Sequence, residues 1–152
     1  MADQTNALPG FALKKRKIIR KTPLAKVSRK RGRNRSLRKK LWPELSKRIR
    51  ARDGHCLMEG DFGMCAGPLQ GSHIYPKGKY PLLELYPLNV KTLCYRHHFF
   101  VWGNNPLDMA AWLRRKLGDQ WIEQLIAMKN DSLWRKHMTE VEIRVEWSVL
   151  GI

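Results

Sequence analysis

Three cysteines and one member of a histidine pair are the residues of this sequence that could together hold a metal ion. Cys94 and His97 are separated by two residues, the spacing at which a turn points both side chains at one ion. Cys56 and Cys65 enclose the glycine-containing loop "LMEGDFGM". Three thiolates and one imidazole form a tetrahedral donor set that Zn²⁺ favours. We therefore predict a structural zinc at these four residues. The alternative is that the cysteines are small buried hydrophobic side chains.

A second group of chemically capable residues lies between and beside these ligands. His73 falls in "GSHIYP", Asn89 precedes "VKTLC", and His98 follows Asn89 by nine positions. Each alone has an ordinary explanation, as a hydrogen-bonding strand histidine, a turn asparagine or a surface histidine. The order His, Asn, His, interleaved with the zinc set, is much harder to explain in that way.

The stretch from "SHI" to "NVKTLCYRHH" resembles the signature of the HNH, or ββα-metal, nucleases. The spacing of Asn89 and His98 is that of the family's N-x8-H pattern, and His97 stands where the second cysteine of a C-x-x-C-H run usually stands. The basic N-terminus, the "RDG-x-C" entry and the "NNPLDMAAW" exit are similar to small zinc-containing phage HNH and recombination endonucleases. The resemblance covers about Arg52 to Pro106, roughly a third of the chain.

This resemblance implies roles for the second group. His73 matches the general base that activates the attacking water. Asn89 matches the residue that ties the loop between the strands and orients the base. His98 matches a ligand of a catalytic Mg²⁺ or Mn²⁺, which would steady the scissile phosphate. The implied activity is an HNH endonuclease that hydrolyses phosphodiester bonds in DNA, which could be branched or single-stranded, with little sequence preference.

Two departures from the family pattern keep other functions open. The position before the base is usually an acid or histidine and is Ser72 here, and a later histidine is replaced by Trp102 or Gly103. The alternative is a catalytically degenerate, zinc-stabilised nucleic-acid-binding accessory protein in phage replication, recombination or packaging. A zinc-knuckle RNA-binding protein is a third hypothesis, but it does not account for His73 and Asn89.

The charge distribution favours a nucleic-acid partner. The formal net charge is +17, and residues 1–40 carry 15 Lys and Arg against a single acid, Asp3. A segment so charged and so poor in apolar residues predicts a flexible tail over 1–36 that contacts phosphates, although a tail that only aids solubility is possible. The predicted nucleic-acid contacts are Lys14, Lys15, Arg16, Lys17, Arg29, Lys30, Arg31, Arg33, Arg35, Lys77, Lys79 and Arg96.

The secondary structure expected around the candidate metal and catalytic residues indicates an α+β domain over 37–152. Leucines at i, i+4 spacing predict a helix from about Leu37, firm from Pro43 to Arg52. Short strands are expected at "LQGSHIY" and "NVKTLCY", followed by a helical turn at "HHFFVWG". Trp102, with Phe99 and Phe100, is expected to pack this turn inward against the C-terminal helices. The zinc and ββα core then spans about 52–106, and the C-terminal part, 106–150, is helical.

Two helices of the C-terminal part have clear end signals. Asn105 as N-cap, Pro106 at the first position and Gly118 after the end predict a helix over Pro106–Leu117. The segment "VEIRVEWSV" alternates like a strand, but a T-x-x-E capping box before it favours a helix.

The cysteines and the N-terminus bear on the compartment. An odd number of cysteines without an apolar signal segment argues against a disulfide framework. No apolar run approaches the ~20 residues that span a bilayer. We therefore predict a cytoplasmic protein, located in the host cell if phage-encoded, with no membrane partner.

Overall fold

A computed structural model describes residues 29–104 and 106–152. Within these residues, four longer helices pack around a two-stranded antiparallel sheet, so the predicted α+β class is confirmed. The elements in chain order are α1 (Arg29–Asp53), β1 (Leu69–His73), 3₁₀ helices Pro81–Leu83 and Pro87–Asn89, β2 (Val90–Cys94), a π-helix (His97–Val101), α2 (Pro106–Leu117), α3 (Asp119–Asn130), a 3₁₀ helix (Ser132–His137) and α4 (Glu140–Val149).

The register of the hairpin decides which side chains share a face. Leu69 lies opposite Cys94, and His73 lies opposite Val90. Because side chains alternate along a strand, Ser72 and His73 point to opposite faces. Helix α1 packs so closely on the His73 face that a Cβ added at Gly71 would lie 2.8 Å from the Ser46 hydroxyl.

Helix α1 packs through the predicted apolar stripe. Leu41, Leu45 and Ile49 are completely buried. Pro43 lies inside the helix rather than in its first turn. The proline is exposed, so the carbonyl group that loses its hydrogen bond can be solvated by water.

Helix α1 begins before the predicted boundary at residues 36/37. The helix begins at Arg29, eight residues before Leu37. Lys and Arg have high helix propensity, so a helix anchored by packing at its C-terminal half extends into the basic segment. Lys14, Lys15, Arg16 and Lys17, and the rest of the predicted tail up to residue 28, lie outside the described residues.

Helix α4 confirms the helical prediction for this segment. The Thr139 side chain accepts a hydrogen bond from the backbone of Glu142, and the Glu142 carboxylate accepts one from the Thr139 backbone, which completes the capping box. The buried face carries Ile143 and Trp147. The alternative apolar stripe, Val141, Val145 and Val149, is exposed.

The other face of the hairpin packs against α2 and α3. Leu93 of β2 clusters with Met109, Trp112 and Leu113 of α2. The bounds of α2 agree with the prediction, while the predicted cap at Asn105 lies outside the described residues. Across the described parts of the chain, no helix is both long and apolar enough to cross a membrane.

Candidate metal centre and neighbouring histidines

The four predicted zinc ligands converge. The ligand atoms of Cys56, Cys65, Cys94 and His97 all lie within 4.8 Å of one another. The Cys56 and Cys65 sulfurs are 3.3 and 3.7 Å from His97 Nδ1. A tetrahedral zinc with ordinary Zn–S and Zn–N bonds has an S···N edge of about 3.6 Å. The four residues are therefore positioned to bind a metal ion, and their donor set and dimensions suit zinc.

The tautomer of His97 is fixed by its surroundings. Its Nε2–H donates to the Phe62 carbonyl oxygen at 3.1 Å, so Nδ1 is the nitrogen with the free lone pair. Ligating histidines are commonly oriented in this way, by a backbone acceptor on the second nitrogen. The ring is completely buried. Simple hydrophobic packing of the cysteines does not account for a lone pair directed at two sulfurs.

Backbone N–H groups are directed at two of the three sulfurs. The backbone N–H of Cys94 donates to Cys56 Sγ at 3.2 Å, and that of His97 donates to Cys94 Sγ at 3.4 Å. Desolvation raises the pKa of Cys94, but hydrogen bonds from the His97 and Ala66 N–H groups and from the Cys65 and Cys56 side chains together lower that pKa overall. Desolvation and the adjacent Cys56 and Cys94 raise the pKa of Cys65 to about 12. Full ionisation of three neighbouring sulfurs therefore requires a cation between them.

The long loop between the first two ligands is held by its own contacts. Gly60 and Gly63 have φ of 81° and 83°, which lets the chain reverse twice. Asp61 accepts hydrogen bonds from Trp112 Nε1 at 3.2 Å and Lys116 Nζ at 2.8 Å, both on α2. The loop thus returns Cys65 to the cluster despite the eight residues between it and Cys56.

His73 is a half-buried histidine with one committed nitrogen. Its Nε2–H donates to the Glu84 carbonyl oxygen at 3.0 Å, which leaves Nδ1 unprotonated. Trp42 of α1 stacks on the ring, with centroids 4.4 Å apart and planes 22° apart. Desolvation, with smaller contributions from Lys77 and His98, lowers the pKa of His73 to about 4. The imidazole is therefore neutral at physiological pH.

Asn89 ties the connection between the strands to the hairpin. Its side chain is completely buried. Its Oδ1 accepts the Tyr75 N–H at 2.7 Å, and its Nδ2 donates to the Tyr75 and Leu83 carbonyls, each at 3.1 Å. These contacts close the loop that carries Glu84, the backbone acceptor for His73. Arg38 of α1 also holds Glu84 in place, through an ion pair with the Glu84 carboxylate at 3.0 Å.

His98 lies beside Gln70 of β1. Its Nδ1 is 2.8 Å from Gln70 Oε1, so Nδ1 carries the proton and Nε2 the lone pair. Desolvation lowers the pKa of His98. Gln70 shares its strand face with Ser72, whose hydroxyl is buried and has no hydrogen-bond partner. Within residues 29–104 and 106–152, no cluster of three His, Cys, Asp or Glu ligands includes His98.

The remaining residues predicted to contact nucleic acid lie on several different parts of the fold. Arg35, Lys77, Lys79 and Arg96 are exposed. Arg96 Nη1 also donates to the Met64 carbonyl at 2.6 Å, so this side chain braces the loop between Cys56 and Cys65. The backbone of α1 includes four further predicted contacts: Arg29, Lys30, Arg31 and Arg33.

Sequence reasoning missed Trp42 and Gln70, the side chains that contact His73 and His98. No local pattern marks either residue, because Trp42 lies 31 positions before His73 and Gln70 lies 28 before His98. Comparisons with protein-family models, curated proteins and solved structures find no match to this chain.

Proposed function

We propose that this protein is a metal-dependent HNH-type endonuclease that hydrolyses phosphodiester bonds in DNA with little sequence preference. The observation that carries the proposal is the state of His73. One nitrogen is committed to a backbone carbonyl, and the other is unprotonated on a hairpin braced by Asn89. A neutral imidazole with a fixed tautomer is what a general base requires.

In this mechanism His73 Nδ1 accepts a proton from the attacking water. The hydrogen bond to the Glu84 carbonyl holds the ring and stabilises the imidazolium that forms. A pKa of about 4 makes His73 a weak base in the free protein. The negative charge of a bound phosphodiester would raise that pKa towards the working pH. Trp42 covers one face of the ring and limits its rotation.

The donors near His98 fit a weakly held divalent ion. His98 Nε2 offers one lone pair, and the buried Ser72 hydroxyl, which has no hydrogen-bond partner, lies on the same strand face as Gln70. When bound, such an ion would stabilise charge on the scissile phosphate and the leaving oxygen. An imidazole ligand without a carboxylate favours Mn²⁺ over Mg²⁺.

Nicking of supercoiled plasmid in Mn²⁺ or Mg²⁺ tests this function. The parent is expected to nick, and His73→Ala to lose roughly 100-fold or more of the rate, the usual contribution of a general base. His137→Ala, at an exposed histidine of the last 3₁₀ helix, is the matched control and should nick like the parent. Equal nicking by the parent and His73→Ala, or none by either, would contradict the proposal. Zinc content and circular dichroism verify that each variant is folded.

The second candidate is a nucleic-acid-binding accessory protein that keeps this architecture without catalysis. The observation that favours it is the serine at position 72, together with the lack of a ligand cluster around His98 in the described chain. A protein with this second function would bind DNA with the same salt dependence as the nuclease. It would leave plasmid DNA intact in either Mn²⁺ or Mg²⁺. The nicking assay and a binding titration separate the two functions.

A further inference from the structure

Three aromatic side chains form an exposed cluster at the end of β2 and on the π-helix. Tyr95, Phe99 and Phe100 are 45%, 57% and 60% exposed. The Tyr95 ring centroid is 4.9 Å from that of Phe99 and 6.0 Å from that of Phe100. We refer to these three residues as the aromatic platform. The prediction that Phe99 and Phe100 pack inward is therefore wrong.

The backbone under the platform is well supported. The Trp102 N–H bonds to the His97 carbonyl at 2.8 Å across a π-turn, so His97 is buried at the metal centre while the two phenylalanines face out. The Tyr95 N–H bonds to the Pro68 carbonyl at 3.0 Å. A Cβ added at Gly67 would lie 2.7 Å from the Tyr95 Cβ, so glycine is needed there. π-Turns are costly and occur frequently at functional sites.

The platform adjoins the proposed catalytic residues. The Phe99 ring centroid is 4.6 Å from that of His98. A molecule that stacks on Phe99 would therefore lie next to the residue proposed to hold the catalytic ion. Packing alone does not explain three aromatic residues grouped at this position, because about half of the surface of each is exposed to solvent.

The charge around the platform favours an anionic occupant. Residues 62–83 and 85–107, which build the hairpin and the π-helix, contain no Asp or Glu. They contain four basic residues, of which Lys91 is buried against Trp121, while Lys77, Lys79 and Arg96 are exposed. Arg96 directly follows Tyr95 of the platform. Flat aromatic surfaces among basic side chains are the combination that binds single-stranded nucleic acid, in which bases stack and phosphates pair with cations.

We propose that the aromatic platform stacks unpaired nucleobases of a single-stranded DNA segment beside His98. This inference rests on the proposed function for the identity of the polymer and specifies its substrate class. Bases in an intact duplex stack on each other and cannot reach these rings. The preferred substrates are therefore single strands or branched DNA with unpaired bases at the branch.

Binding by the full zinc-loaded chain without added Mg²⁺ or Mn²⁺ tests the platform. Fluorescence anisotropy compares a 20-nucleotide oligothymidylate, an abasic strand of the same length and a 20-base-pair duplex. The parent should bind oligothymidylate about tenfold or more tightly than the abasic strand, because each stacked base contributes measurably. The double variant Phe99→Leu/Phe100→Leu keeps apolar side chains but removes two π-faces. It should lose that preference while affinity for the other two ligands is unchanged.

Two further variants make the test specific. Phe99→Tyr/Phe100→Tyr keeps the rings and should retain the preference. Val145→Ala, at an exposed apolar residue of α4, is the control and should behave like the parent. Equal binding of oligothymidylate and the abasic strand by the parent would overturn the proposal. An equal loss for all three ligands in the leucine variant would do so as well.

Sedimentation at the assay concentration tests a second copy of the chain as the occupant. Parent dimers that the leucine variant dissociates would overturn the proposal, and a monomeric parent would support it. The plasmid assay reads hydrolysis independently of binding. Base-dependent binding by a parent that does not nick would leave the platform in place and reject the nuclease.

Discussion

Burial of a neutral His73 makes a defined contribution to the pH dependence of stability. Its pKa is about 4 in the folded protein against an ordinary 6.5. The unfolded chain therefore binds more protons between these values, so this stability is present above pH 6.5 and is lost as pH falls towards 4. Between pH 7 and pH 5, these two pKa values correspond to a loss of about 1.8 kcal/mol in the free energy of unfolding, at 1.36 kcal/mol per pKa unit. Because the ring is partly exposed, we expect a loss of about 1 kcal/mol.

Urea unfolding followed by tryptophan fluorescence at pH 7, 6 and 5 measures this contribution. The His73→Gln variant retains an N–H donor but does not titrate, so its free energy of unfolding should fall less than that of the parent. Subtraction of the two curves removes the pH dependence of the shared metal centre, and zinc is assayed at each pH. The exposed His137→Gln variant should follow the parent. If the His73→Gln and parent curves run parallel from pH 7 to 5, His73 is not held neutral by burial.

Two other predictions address the metal centre and a buried lysine. Metal analysis should find one zinc per chain in the parent and in His98→Ala, and none in Cys94→Ala, because Cys94 faces the cluster and His98 faces Gln70. Zinc retained by Cys94→Ala would remove that cysteine from the site. Desolvation and Arg52, opposed by Asp53, lower the pKa of Lys91 to about 8 from 10.5. The Trp121 ring, 3.7 Å from Lys91 Nζ, offsets about 2 kcal/mol of the resulting ~3.4 kcal/mol penalty. The free energy of unfolding of Lys91→Met should therefore be about 1 kcal/mol higher than that of the parent at pH 7. This difference should decline as pH rises from 8 to 10.5. A constant difference across that range would contradict the reasoning.

The metal ligands were predictable because their chemistry restricts the residue types. Few arrangements other than a metal site use Cys94 and His97 two residues apart with two further cysteines nearby. The helix ends were predictable for a similar reason. Pro106, Gly118 and the Thr139 capping box act through local backbone geometry, which neighbouring residues determine.

Local sequence patterns did not determine which face of a helix is buried. Helix α4 carries two apolar stripes, and the stripe with Trp147 is the buried one. The Trp147 indole N–H donates to the Leu85 carbonyl at 3.0 Å, a contact between residues 62 positions apart in the chain. The outward position of Phe99 and Phe100 follows from the π-turn and from the burial of His97. Neither effect can be read from a window of a few residues.

The sequence by itself determined the set of three cysteines and one histidine that can hold a metal, the helix ends of the C-terminal part and the strongly basic N-terminus. Donor chemistry, capping and charge are properties of residue type and short spacing. Only the tertiary structure decided that Trp42 covers His73, that Gln70 holds His98 and that three aromatic rings face solvent beside it. These contacts join residues far apart in the chain, and packing against α1 and the metal centre selects them.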